Sequence, residues 1–73
     1  MINDKKNDVK CPVCENYSFN SVSFPGSYLI CEICYWEDDS IQYENPNYNG
    51  GANKISLNEA RENFRSKKKV MGD

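Results

Sequence analysis

Four cysteines are the residues of this chain best suited to chemistry, and their spacing narrows what that chemistry is. Cys11-Pro12-Val13-Cys14 is followed, after sixteen residues, by Cys31-Glu32-Ile33-Cys34, and the chain holds no other cysteine and no histidine. Two residues between cysteines let a tight turn aim both sulfurs at one point. Two such turns brought together complete a tetrahedron, so the pattern predicts one zinc ion held by Cys11, Cys14, Cys31 and Cys34. Four thiolates leave no coordination position for water or substrate, which makes the expected metal structural. The histidine-and-glutamate motif of the zinc deaminases is absent. A rubredoxin-like iron centre is the rival reading of paired knuckles. Such a site usually has glycine after the second cysteine of each pair, where this chain has Glu15 and Tyr35. The same two residues predict somewhat altered turns.

A second group with chemical potential is Glu37-Asp38-Asp39. These carboxylates are open to two functional readings. They could bind a basic partner or a hard cation, or, with Asn53, serve a small hydrolase. The structural alternative is that they cap a turn or pair with Arg61 and Arg65. The absence of histidine, of a serine-centred motif and of a phosphate loop favours a non-enzymatic protein, an adaptor or inhibitor-like module.

Whatever these residues do, a chain of 73 residues must hold them in place with little core. Hydrophobic residues make up 38% and the mean hydropathy is −0.82. So small a chain rarely buries enough apolar surface to offset its conformational entropy, and the cysteines are the only staple in the sequence. The first residues contain no apolar run that would read as a secretory signal, and no segment is long enough to cross a membrane. A reducing, cytoplasmic compartment is therefore expected, where thiols persist and bind metal.

The elements follow from pattern. Residues 1–9 read as a flexible N-terminus. Tyr17 to Phe24 reads as a strand with a possible bulge, since its apolar phase shifts between Phe19 and Val22. Phe24-Pro25-Gly26-Ser27 suits a type II turn, and Tyr28 to Cys31 the return strand. This hairpin would join the knuckles. Tyr35-Trp36 suggests a third strand, with Trp36 packed over the metal. Residues 45–53, rich in Asn and Gly, read as an ordered loop. Ser56-Leu57-Asn58-Glu59 is a capping box, opening a helix from Leu57 to about Lys68 with Leu57, Ala60 and Phe64 on one face. The fold class expected is a small metal-stapled α+β domain over residues 10–66: a zinc-ribbon-like hairpin with two knuckles and one C-terminal helix. A basic tail, residues 67–73, follows.

Several of these segments together resemble the cysteine-rich CPCC family of small bacterial proteins. They are Cys11-Pro12-Val13-Cys14, Gly26-Ser27-Tyr28, Ile30 to Cys34, Trp36-Glu37-Asp38-Asp39, Gly50-Gly51-Ala52-Asn53 and Ser56 to Arg61. The resemblance covers about residues 10–66. Val13 stands where the family's name implies a third cysteine, so that position is not an obligatory ligand. The resemblance implies a zinc-ribbon-like fold and no particular activity.

Charge bears on the partner. The net charge is −2, but Cys11 to Asn53 contains Glu15, Glu32, Glu37, Asp38, Asp39 and Glu44 and not one Lys or Arg. A knuckle that reads nucleic acid presents cations beside the metal; this one presents carboxylates, so specific nucleic-acid binding is not expected. The expected partner is a protein with a basic surface, docked on Glu37, Asp38 and Asp39 with Tyr43 or Tyr48.

Overall fold

Each pair of cysteines sits in the turn of its own short hairpin. In the computed structural model, which describes residues 7–71, β1 (Val9–Lys10) pairs antiparallel with β2 (Tyr17–Phe19) around the first pair. Around the second, Ile30 bridges Glu37 in antiparallel fashion, and the Tyr28 and Asp38 amides donate to Asp38 O and Leu29 O. The single hairpin expected to join the knuckles is therefore replaced by two hairpins, one per knuckle. The reason lies at Asn20. Its carbonyl accepts from the Ser23 and Phe24 amides and its side chain from the Val22 amide, so the chain turns where a strand was expected. Val22 is left 92% exposed. The Phe24–Pro25 peptide is cis, and the Ser27 amide, which would close the expected type II turn, donates to Asp38 Oδ2 instead.

The two knuckles repeat each other bond for bond. The Cys11 amide donates to Asn16 O and the Glu15 amide to Cys11 O; the Cys31 amide donates to Trp36 O and the Tyr35 amide to Cys31 O. Glu15 and Tyr35 have φ of 64° and 69°. The expected alteration of the turns is thus corrected. Both residues adopt the left-handed conformation that glycine takes freely, at a cost of roughly 1 kcal/mol each.

Two helices follow. The first, α1 (Ser40–Glu44), was not expected; Asp39 caps it, its carboxylate accepting from the Ile41 and Gln42 amides. The second, α2 (Leu57–Arg65), starts where the capping residue predicts, with Ser56 Oγ accepting from the Glu59 amide. It stops earlier than Lys68 because Lys67 turns left-handed, at φ 61°. The Lys67 amide then bonds Phe64 O and the Lys68 amide Asn63 O, closing the last turn. Beyond it the chain folds back: Asn63 Nδ2 donates to Val70 O, and Val70 is buried.

The core is built around sulfur. All four cysteines are buried together with Phe19, Trp36, Leu57, Ala60, Val13 and Val70. Trp36, at 1% exposure, is a packing residue as expected. Phe24 bridges outward, stacked on Phe19 and edge-on to Tyr43.

Candidate metal centre

The two knuckles bring their sulfurs to one point. Cys11 Sγ lies 3.6 Å from Cys34 Sγ, and Cys14 Sγ lies 3.8 Å from Cys31 Sγ. All four sulfurs fall within 4.8 Å of one another, and all four cysteines are free. A tetrahedral ion with metal–sulfur bonds of about 2.3 Å separates its sulfurs by about 3.8 Å. The closest pairs therefore already stand at the edge length of such a tetrahedron, and the donor set fits a thiophilic metal.

The surrounding donors are arranged for sulfur that carries charge. The Val13 amide donates to Cys11 Sγ and the Ile33 amide to Cys31 Sγ, each at 3.4 Å. The equivalence of these two bonds follows from the equivalence of the turns. Sharing a proton with Cys34 brings the Cys11 thiol down to about 6 and pushes the Cys34 thiol up, while burial pushes up the Cys14 thiol. Crowded thiols cannot all ionise together without a cation among them. A divalent ion replaces those protons and relieves the crowding.

Two neighbours of the cysteines escaped sequence reasoning. Ser18 Oγ is 3.1 Å from Cys31 Sγ. Val9 opposes Phe19 and Lys10 opposes Tyr17, so Ser18 is the extra residue of a bulge. The bulge aims its hydroxyl at the metal centre, where it can donate to a Cys31 thiolate. Arg61 Nε donates to Pro12 O at 2.8 Å and ties the first knuckle to α2. Neither role carries a local sequence signal.

Of the two readings of the carboxylate run, Asp38 and Asp39 take the structural one, holding turn and helix-start amides. Asp38 and Asp39 are buried, at 1% and 5% exposure, and Glu37 is half-buried. Asp38 Oδ2 accepts from the Gly26 and Ser27 amides and the Ser27 hydroxyl. Asp39 accepts from Ile41 and Gln42 through one oxygen and from the Ala52 amide through the other. Burial raises the Asp39 carboxyl, but these three amides together outweigh it and hold the group below the usual carboxylate range.

Asn53, the expected companion of a hydrolytic carboxylate, is buried as well. Its amide exchanges two hydrogen bonds with the Glu37 backbone and donates to Gln42 Oε1. Gln42, fully buried, donates to the carbonyls of Tyr48, Asn53 and Ile55. These residues form a polar second core that shapes the loop before α2. Gly51 is part of it, since a Cβ there would stand 2.7 Å from Asp39 Oδ2.

The docking surface centred on Glu37, Asp38 and Asp39 is corrected accordingly. Buried aspartates that hold backbone amides cannot meet a partner. The alternative pairing with the helix is not the arrangement either: Arg61 bonds Pro12 O and Asn58, and Arg65 pairs with Glu62. Of the expected partner surface, Tyr43 and Tyr48 are exposed. No helix among the described residues is long and apolar enough to cross a membrane.

A search of curated proteins finds no match to this chain. The family model described as Cysteine-rich CPCC matches residues 9–68, a span that contains both knuckles, the polar second core and α2. The chain belongs to the cysteine-rich CPCC family.

Proposed function

We propose that the protein is a structural-zinc module of zinc-ribbon type that acts by binding another protein and catalyses no reaction. The observation that carries this reading is the closed, buried set of four thiols. A metal with four protein sulfurs has no position for a reacting group, so its contribution is to folding. Asp38 and Asp39, two of the three carboxylates considered for hydrolysis, are occupied by backbone amides, which weighs against that alternative. A cytoplasmic setting accords with free thiols around a zinc ion.

Zinc is the metal proposed. Iron in the same site remains the second reading, because the left-handed Glu15 and Tyr35 reproduce the turns that glycine makes in iron knuckles. A partner with a basic surface would meet what is left of the acidic, aromatic face, namely Tyr43 and Tyr48 beside exposed Glu44.

The test of a structural metal is cobalt substitution. The cobalt-loaded protein is expected to give the absorption of a tetrahedral tetrathiolate, unchanged by azide or imidazole. A spectrum that shifts on adding either ligand would reveal an open position and overturn the structural role.

A further inference from the structure

The knuckle-facing side of α2 carries features that metal binding does not use. Phe64, near the end of the helix, is 40% exposed and lines two grooves. The larger, about 430 Å³, is lined by Ile33, Tyr35, Phe64 and Met71 together with Lys68 and Lys69, and by no acidic residue. The smaller, about 270 Å³, runs past the first knuckle and includes Arg61 and Arg65. Arg61 and Arg65 stand one turn apart on α2, and Lys68 and Lys69 lie in the segment after the left-handed Lys67, so cations line both grooves, with Glu15 beside them in the smaller, while the net charge of the chain is −2.

Tyr35 adds a second, independent observation. Its ring is 67% exposed and its backbone is left-handed at φ 69°. Glycine would make the same turn without strain. A large aromatic held in solvent at a conformational cost fits a residue kept for contact. Ile33, 54% exposed on the same knuckle, extends that contact area.

We propose that the groove between the second knuckle and the end of α2 docks an acidic segment of a partner protein. Its apolar anchor would seat among Ile33, Tyr35, Phe64 and Met71, and its carboxylates would face Lys68 and Lys69. This rests on the reading of the chain as a docking module and assigns it a second face, opposite in charge to the Tyr43 and Tyr48 side. The apolar floor favours a peptide over a nucleic acid, because phosphates gain from the lysines alone.

The experiment is a peptide-display selection on the zinc-loaded protein, followed by affinity measurement of the selected peptides. The expected result is enrichment of peptides with Asp or Glu flanking an aromatic or aliphatic residue. Lys68→Glu combined with Lys69→Glu is expected to weaken them about tenfold or more. Tyr35→Gly should do the same while leaving the unfolding temperature equal or higher, which separates contact from folding. Selected peptides that are basic and insensitive to both variants would overturn this proposal and leave the docking reading standing on its other face. No enrichment would overturn both. Tighter binding of a uridine 12-mer than of any peptide, lost in the lysine variant, would assign the groove to nucleic acid instead.

Discussion

Stripping the metal with a chelator is expected to abolish cooperative thermal unfolding, and Cys31→Ser is expected to do the same. The magnitudes decide this. A structural zinc contributes on the order of 10 kcal/mol of folding free energy, and a small domain holds only about 5–15 kcal/mol in total. The cysteines are also part of the core they bind together, packed against Phe19, Trp36 and Leu57. Cys31 is fully buried, and Cys31→Ser replaces a thiolate ligand with a neutral hydroxyl that a thiophilic ion binds poorly. Acid should mimic the chelator. Thiolates bound to metal have their proton affinity depressed, so their contribution is present above the pKa of a free cysteine. It is lost as pH falls and protons displace the ion. Circular dichroism on heating, with and without chelator, measures the effect. An apoprotein that melts cooperatively near the holoprotein temperature would show that the core stands without metal.

The second large effect is expected at Asn53. Asn53→Asp changes one group, yet it removes the side-chain donors to Glu37 O and to Gln42 Oε1, leaving the latter only the Asn53 backbone amide. Gln42 cannot turn to compensate, because its Nε2 already donates to three carbonyls. The variant sets acceptor against acceptor in a buried site, at a cost of about 1–3 kcal/mol for each group left unpaired. A loss of about 3 kcal/mol in denaturant unfolding of the metal-loaded protein is expected. Glu44→Gln, on the exposed surface, should stay within about 0.5 kcal/mol. Asp39 supports the same network with a depressed pKa. Its stabilisation is therefore full above the ordinary carboxylate range and lost as pH falls through its lower folded value. If Asn53→Asp unfolds at the wild-type denaturant concentration, the polar core is not holding the loop.

The metal ligands could be read from the chain because C-x-x-C spacing is itself a geometry: the distance between sulfurs is set by two intervening residues. The start of α2 was equally plain, since Ser56 caps it locally. Its end was not, because Lys67 closes the helix in a left-handed conformation with no glycine to announce it. The hairpins were misplaced for a similar reason. Alternating aromatics at Tyr17 and Phe19 suggested that the strand continued to Phe24, and the turn made by Asn20 depends on a side chain and a carbonyl rather than on periodicity. The carboxylates left two readings open, a docking surface and the capping of a turn, and burial decides for the second at Asp38 and Asp39. Charge suggests surface, but in a fold with this much irregular backbone Asp38 and Asp39 are the acceptors that loop amides need. Gln42 and Asn53 meet eleven residues apart, a contact that no local pattern encodes. The basic tail was legible as charge, but that Lys68 and Lys69 border a groove with Ile33 and Tyr35 depends on where the second knuckle is placed.

The central claim is that four cysteines hold one metal ion and that the ion is zinc. Native mass spectrometry of the protein purified without added metal tests it most directly. The account predicts a single species heavier than the polypeptide by one zinc, less the protons that the thiols release. A species without metal and lighter by four hydrogens would contradict it, since that mass belongs to two disulfides.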